Sequence, residues 1–226
     1  MSQIQGITED DIANYLVNTP GFFERNAELL GSIQLTSPHG HRAVSLQERQ
    51  MELLREKLKG MELKVMEMIR HGQENVAIAD RLHRFTRAIM LTSDMADLPD
   101  VVVNEVMHRF MIPHAGIRVW GAAPAFAEQA FAQPVSDDVK TFASSLSVPY
   151  CGVNSGFEAV KWVEDPSSVM STALIPLRHG AADAAFGMLV LGSPDPTRYS
   201  ADMGTEFLMR VGEIASAGVS RLLPAA

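Results

Sequence analysis

Apolar residues recur every three or four positions through residues 45–92. No proline interrupts this stretch, and the apolar positions step alternately by three and four residues, which is the heptad pattern of a coiled coil. We therefore predict that residues 44–92 form a long coiled-coil dimerisation helix. Its predicted dimer interface, called the seam below, consists of the a and d residues Met51, Leu54, Leu58, Met61, Val65 and Met68.

The heptad pattern weakens in the middle of this helix and then resumes. The same frame places Gly72 and Asn75 at a and d, and it places Leu82 and Ile89 at later d positions. A narrow apolar stripe flanked by charged residues favours a second helix as its partner, in a parallel or an antiparallel dimer. The alternative is that the stripe packs against the chain's own C-terminal domain.

Two short helical patterns precede the long helix. Thr8 has the position of an N-cap, and Asp11 and a set of apolar residues follow it with helical spacing. Thr19 and Pro20 have the pattern of a second N-cap followed by proline at the first helical position, and Gly31 ends this second helix. Ser45 and Glu48 have the spacing of a capping box at the start of the long helix. Residues 1–43 are therefore predicted to form an N-terminal helical hairpin.

Residues 93–226 show the mixed pattern of a compact domain. The predicted elements are a helix, a strand, an irregular middle segment, two antiparallel strands and a final helix, at residues 98–110, 116–120, 122–168, 170–177, 185–191 and 207–222. The sequence thus predicts an α+β fold, with an N-terminal helical segment and a long coiled-coil helix before a domain whose central antiparallel sheet is flanked by helices.

The C-terminal pattern resembles that of a known domain family. Residues 171–177 and 186–191, followed by a helix after a loop rich in proline and aspartate, resemble the GAF domain. With residues 20–23, 44–50, 192–196 and 203–208 included, nearly the whole chain resembles the bacterial DUF484 family of uncharacterised proteins. The resemblance implies a GAF-like domain that binds a small molecule between its sheet and the irregular middle segment. It assigns no catalytic residue.

Charge and composition narrow the function classes. The 226 residues include 19 Lys and Arg against 27 Asp and Glu, a net charge of −8. Acidic and basic residues also interleave along the long helix, which argues against direct binding of nucleic acid. The longest apolar run, residues 184–192, is too short to span a membrane, and the N-terminus lacks the features of a signal peptide. We expect a cytoplasmic protein without a membrane partner.

A small set of residues is the candidate ligand pocket. Arg118 and Trp120 are two apart and share one face of a predicted strand, and a cation beside an aromatic ring suits an anionic or aromatic ligand. The predicted ligand-binding residues are Arg118, Trp120, Cys151, Phe157, Trp162 and Thr172, with Phe157 and Trp162 as a lid. In the alternative interpretation, Arg118 pairs with a surface carboxylate and Trp120 fills the core.

Catalytic and metal-binding patterns do not emerge from the sequence. His39 and His41 lack a third ligand at a recognisable spacing, and the common catalytic motifs do not occur. Cys151 is the single cysteine, whereas the GAF enzymes that reduce free methionine sulfoxide use several. No catalytic residue or metal is predicted, and the cofactor is unknown.

Three functions follow in order of preference. The first is a non-enzymatic regulatory or sensory protein whose GAF-like domain binds a small molecule and signals through a coiled-coil homodimer. The second is an interaction scaffold without a ligand, and the third is a thiol-dependent enzyme that uses Cys151. A sensor should leave Arg118 facing an accessible cavity, whereas a scaffold should keep the middle segment collapsed on the sheet.

Overall fold

The structure, a computed structural model, describes residues 6–32, 46–180 and 182–224. The two predictions that refer to His39 and His41, as metal ligands, and to Ser45, as a cap of the long helix, lie outside the described residues. By its internal contacts the chain divides into two compact units, Met1–Leu63 and Lys64–Ala226. The three-part division expected from the sequence stays a prediction.

The described part of the N-terminal unit is helical, as the sequence predicts. It contains α1 (Glu9–Asn18), α2 (Phe22–Arg25), α3 (Ala27–Ser32) and the first part of α4 (Leu46–Leu91). The Thr8 side chain accepts a hydrogen bond from the backbone N–H of Asp11, and the Asp11 carboxylate accepts one from the backbone N–H of Thr8 at 2.9 Å. This reciprocal capping box starts α1.

Four antiparallel strands form the centre of the C-terminal unit. They are β1 (His114–Val119), β2 (Tyr150–Val153), β3 (Ser171–Arg178) and β4 (Ala185–Ser193), in the order β1-β4-β3-β2. The sequence did not predict β2. This strand has four residues and pairs only with the first half of β3, so it is too short to show an alternating pattern of its own.

Helices cover both faces of this sheet. The elements are α5 (Leu98–Phe110), α6 (Asp137–Ser145), a 3₁₀ segment (Glu158–Trp162) and α7 (Glu206–Val219). One apolar cluster joins α5 and α7 to strand residues such as Ile117, Ile175 and Leu189, and we call this side of the sheet the α7 face. A second cluster joins α6 and the 3₁₀ segment to Leu174, Met188 and Val190, and we call that side the α6 face.

The C-terminal end of α4 belongs to the core on the α7 face. Leu82, Phe85 and Ile89 are all buried there, and Phe85 is fully buried. Gly218 of α7 lies so close that a Cβ atom built on it would come within 2.6 Å of Ile89 Cγ2. The expectation that Leu82 and Ile89 continue the dimer seam is therefore corrected, because the chain's own domain covers them.

The predicted fold class is confirmed. The described chain has a helical N-terminal segment, one long helix and a central antiparallel sheet flanked by helices. None of the helices described here combines the length and the apolar character needed to cross a bilayer.

Candidate ligand cavity and helix surface

Arg118 lies on the α6 face, where its guanidinium stacks on the ring of Trp162. The guanidinium carbon is 5.7 Å from the ring centroid, and Nη1 donates a hydrogen bond to the Ile117 carbonyl oxygen at 3.2 Å. Partial burial lowers the pKa of Arg118, and none of the carboxylates among the described residues forms an ion pair with it. The contact that the structure shows for the Arg118 guanidinium is therefore the ring of Trp162, and not a surface carboxylate.

Trp120 and Thr172 use their polar groups within the fold. The indole Nε1 of Trp120 donates to the Ala185 carbonyl oxygen at 2.8 Å, and the Thr172 hydroxyl donates to the Leu191 carbonyl oxygen at 2.9 Å. Thr172 is also fully buried. The indole N–H and the hydroxyl hydrogen are therefore both used in hydrogen bonds to strand β4.

Cys151 lies on the opposite side of the sheet from the other predicted pocket residues. It pairs with Ala173 across the sheet, and both belong to the cluster on the α7 face. Neighbouring residues of a strand alternate between faces, so the unpredicted strand β2 places Tyr150 on the α6 face and Cys151 on the α7 face. The prediction that Cys151 lines the same pocket as the other five residues is therefore corrected. Burial also raises the pKa of the Cys151 thiol, which disfavours the nucleophilic thiolate.

A cavity of about 340 Å³ lies between α6, the 3₁₀ segment and the α6 face of the sheet. Its floor is formed by Leu174 and Met188, which are fully buried. Phe142 and Phe157 together form one aromatic wall, since their rings stack on each other with centroids 5.8 Å apart and planes inclined by 28°. Among the six residues predicted to bind a ligand, Phe157 is the one that lines this cavity.

The mouth of this cavity is polar. Ser136 caps α6 by accepting a hydrogen bond from the Val139 N–H at 3.3 Å. The Ser136 hydroxyl and backbone N–H donate to the two carboxylate oxygens of Glu158, at 2.6 and 3.2 Å. These bonds hold the pKa of Glu158 below its usual value and tie the 3₁₀ segment to the start of α6.

Sequence reasoning missed both residues of this contact. Ser136 before two aspartates has the pattern of an N-cap, so that signal was present. Glu158 gave no signal, because its partner lies 22 residues away in the chain.

A larger pocket of about 650 Å³, about as open to solvent as the first, runs between α7 and the half of β3 that β2 leaves unpaired. Its strand edge is a poor template for an extended peptide, since Pro176 has no N–H and the Arg178 N–H is bound by the Ser216 hydroxyl at 3.1 Å. The Arg178 guanidinium is also engaged, because it caps the end of α6 through the Leu146 carbonyl oxygen at 2.6 Å. We favour the smaller cavity, where apolar walls and a polar mouth converge.

The seam is a second candidate functional surface. All six of its side chains are at least half exposed, from 51% for Met51 to 72% for Met68. No part of the described chain covers them, unlike Leu82 and Ile89 further along the same helix. A contiguous exposed apolar stripe of this kind marks an interaction surface.

Comparison with known proteins places this architecture in a family. The sequence model described as "Protein of unknown function, DUF484" matches residues 2–223. The chain belongs to the DUF484 family. Among curated proteins, nothing matches this DUF484 chain significantly.

Solved GAF domains are similar to this DUF484 chain at low identity. The GAF domain of a putative sensor histidine kinase from Pseudomonas syringae pv. tomato is 16% identical, with a TM-score of 0.45 over 68% of this chain and 92% of that one. The GAF domain of the Acinetobacter phosphoenolpyruvate-protein phosphotransferase is 14% identical, with a TM-score of 0.43 over 63% and 92%. A free methionine-R-sulfoxide reductase from Neisseria meningitidis is 12% identical, with a TM-score of 0.42 over 63% and 88%. These similarities concern the fold alone.

Proposed function

We propose that this DUF484 protein is a non-enzymatic regulatory protein that forms a homodimer through the seam of α4 and senses a small molecule in the cavity beneath α6. The observation that carries the proposal is the contrast along α4. Its seam residues are exposed, whereas Leu82, Phe85 and Ile89 of the same helix are buried in the domain. One helix therefore joins an unpartnered apolar surface to the domain that contains the cavity.

The heptad spacing of the seam supports a second α4 helix as the partner. Six residues with alternating steps of three and four present one narrow stripe, which is the geometry of knobs-into-holes packing. Complete burial of a leucine contributes about 1.5–3 kcal/mol, and Leu58 is 58% exposed. Each Leu58 then contributes about 1–1.5 kcal/mol on association, and the two copies in a dimer about 2–3 kcal/mol.

The sheet provides a route from the cavity to α4. The cavity floor residues Leu174 and Met188 are adjacent in their strands to Ile175 and Leu189, which face α7. The end of α4 packs on that same helix, at the contact between Ile89 and Gly218. A ligand that binds more tightly to one arrangement of this core raises the population of the α4 position that belongs to that arrangement. The change in α4 then alters how the two helices of the dimer pack.

Sedimentation velocity on two variants tests the dimer. Leu58→Lys changes seam position a, whereas Leu63→Lys changes a leucine of similar exposure, 63%, that lies off the seam at position f. We expect Leu58→Lys to raise the dimer Kd roughly 30- to 150-fold, from the loss of about 2–3 kcal/mol. Leu63→Lys should have little effect. Equal effects of the two variants would contradict a heptad seam.

An interaction scaffold without a ligand is the second candidate function. The observation in its favour is that Arg118 stacks on Trp162 instead of facing a cavity. Native mass spectrometry of the purified protein separates the two functions, because a sensor retains or takes up small molecules and a scaffold does not. If dimers form and no compound binds, the scaffold replaces the sensor.

A further inference from the structure

The charged groups that line the cavity beneath α6 all have one sign. Among the described residues that border it, the ionisable ones are Asp138 and Glu158, both carboxylates at the mouth. The rest of the lining is apolar apart from Ser136, whose hydroxyl is bound to Glu158. An anion entering this cavity would approach two negative charges without a cation in the lining to meet it.

The positive charges near the cavity do not offset the negative charge of its lining. The start of α6 carries about half a positive charge from its aligned peptide groups, and Ser136 caps it while Asp137 and Asp138 occupy its first turn. Lys140 is bound to the Asp137 carboxylate at 2.8 Å. The charge of Lys161 contributes to the lowered pKa of Glu158, but Lys161 does not line the cavity. Arg118 lies beside Trp162 and borders neither cavity.

The walls suit a cation as well as an apolar group. The faces of aromatic rings are electronegative and attract ammonium groups within about 6 Å of the ring centroid. Phe142 and Phe157 stack at the cavity wall, and Tyr150 packs against Phe157 with ring centroids 5.1 Å apart. The floor residues Leu174 and Met188 offer only apolar contact, so one ligand must combine an apolar body with a positively charged end.

We infer that the cavity binds a small arylalkyl or alkyl amine, with its apolar part against Phe142, Phe157 and Met188 and its ammonium group at Glu158 and Asp138. This inference rests on the proposed sensing function and names the chemical class of its ligand. It differs from the sequence-based prediction, in which Arg118 and Trp120 indicated an anionic or aromatic ligand. At about 340 Å³, the cavity is at the small end of the range for ligand pockets, which fits a compact amine.

Three probes of nearly equal shape test the charge preference. They are phenethylamine, 2-phenylethanol and phenylacetate, titrated separately into the full-length protein by ligand-observed NMR. Because an exposed ion pair contributes little, phenethylamine should bind about threefold more tightly than the alcohol. Phenylacetate should bind more weakly than both.

Two matched variants locate the effect. Glu158→Gln should remove the advantage of phenethylamine over 2-phenylethanol, whereas Glu164→Gln, at an exposed carboxylate outside the cavity lining, should preserve it. Ala159→Leu fills the cavity and should weaken all three probes. Circular dichroism confirms that each variant is folded.

The outcomes separate this inference from the proposed function. If the alcohol or phenylacetate binds as tightly as the amine, or if Glu158→Gln leaves the preference intact, the amine assignment is wrong while small-molecule binding stands. If none of the three probes binds at millimolar concentration, the inference is overturned, whereas the sensing function is overturned only if native mass spectrometry also detects no bound small molecule.

Discussion

The effect of Gly218→Ala on the free energy of unfolding should reverse its sign when Ile89 is replaced with alanine. In the native protein the new methyl group would lie 2.6 Å from Ile89 Cγ2, well inside van der Waals contact. Ile89 is a β-branched residue with a stiff side chain, and it is 4% exposed, so it has little room to move away. Ile89→Ala removes the atom with which the methyl group collides.

Two opposing contributions determine how much Gly218→Ala changes the free energy of unfolding. Overpacking of a core costs about 1–3 kcal/mol, while replacing a helical glycine with alanine gains up to about 1 kcal/mol. Gly218→Ala alone should therefore lower the free energy of unfolding by as much as about 2 kcal/mol. In the Ile89→Ala background the collision is absent, so the same substitution should raise the free energy of unfolding by up to about 1 kcal/mol.

Urea denaturation of the four proteins in this double-mutant cycle provides the assay. The expected coupling between the two positions is about 1–3 kcal/mol. If Gly218→Ala changes the free energy of unfolding by the same amount in both backgrounds, within about 0.5 kcal/mol, the packing of α4 on α7 is refuted. That result would also remove the route by which the cavity is proposed to reach the dimer.

Two further predictions concern Cys151 on the α7 face and the contact between Ser136 and Glu158 at the cavity mouth. Cys151 should react with a thiol reagent only as fast as the protein unfolds, because it is buried and its pKa is raised; labelling at the rate of a free thiol would contradict this. Ser136→Ala should lower the free energy of unfolding by about 1 kcal/mol through loss of the α6 cap. It should also raise the pKa of Glu158 towards its usual value, which NMR titration measures. Because folding lowers that pKa, the stabilisation is present above the unfolded-state pKa and is lost as the pH falls through the folded-state value. An unchanged pKa would contradict the Ser136 contact.

Periodicity predicts helices well but not what covers them. The heptad frame predicted the long helix α4 correctly, yet it assigned Leu82 and Ile89 to d positions of a helix–helix interface just as it assigned Leu54 and Met61. An apolar side chain at a d position packs equally well against a second helix or against its own domain. Only the fold shows that Leu82 and Ile89 meet the core.

The candidate site was less predictable because it depends on contacts distant in the sequence. Phe157 was found as an aromatic residue of the middle segment, but its place in the cavity depends on Phe142 of α6. The face on which Cys151 lies depends on β2, a strand too short to show an alternating pattern. The hydrogen bonds between Ser136 and Glu158 likewise arise only when two distant segments meet.

Light scattering of the full-length protein, coupled to size-exclusion chromatography at tens of micromolar, tests the central claim most directly. The account predicts a mass of twice the 24.7 kDa of one chain, falling towards the single-chain mass in Leu58→Lys and not in Leu63→Lys. A mass of one chain for the unmodified protein would contradict the homodimer, and the regulatory function proposed for α4 would fall with it.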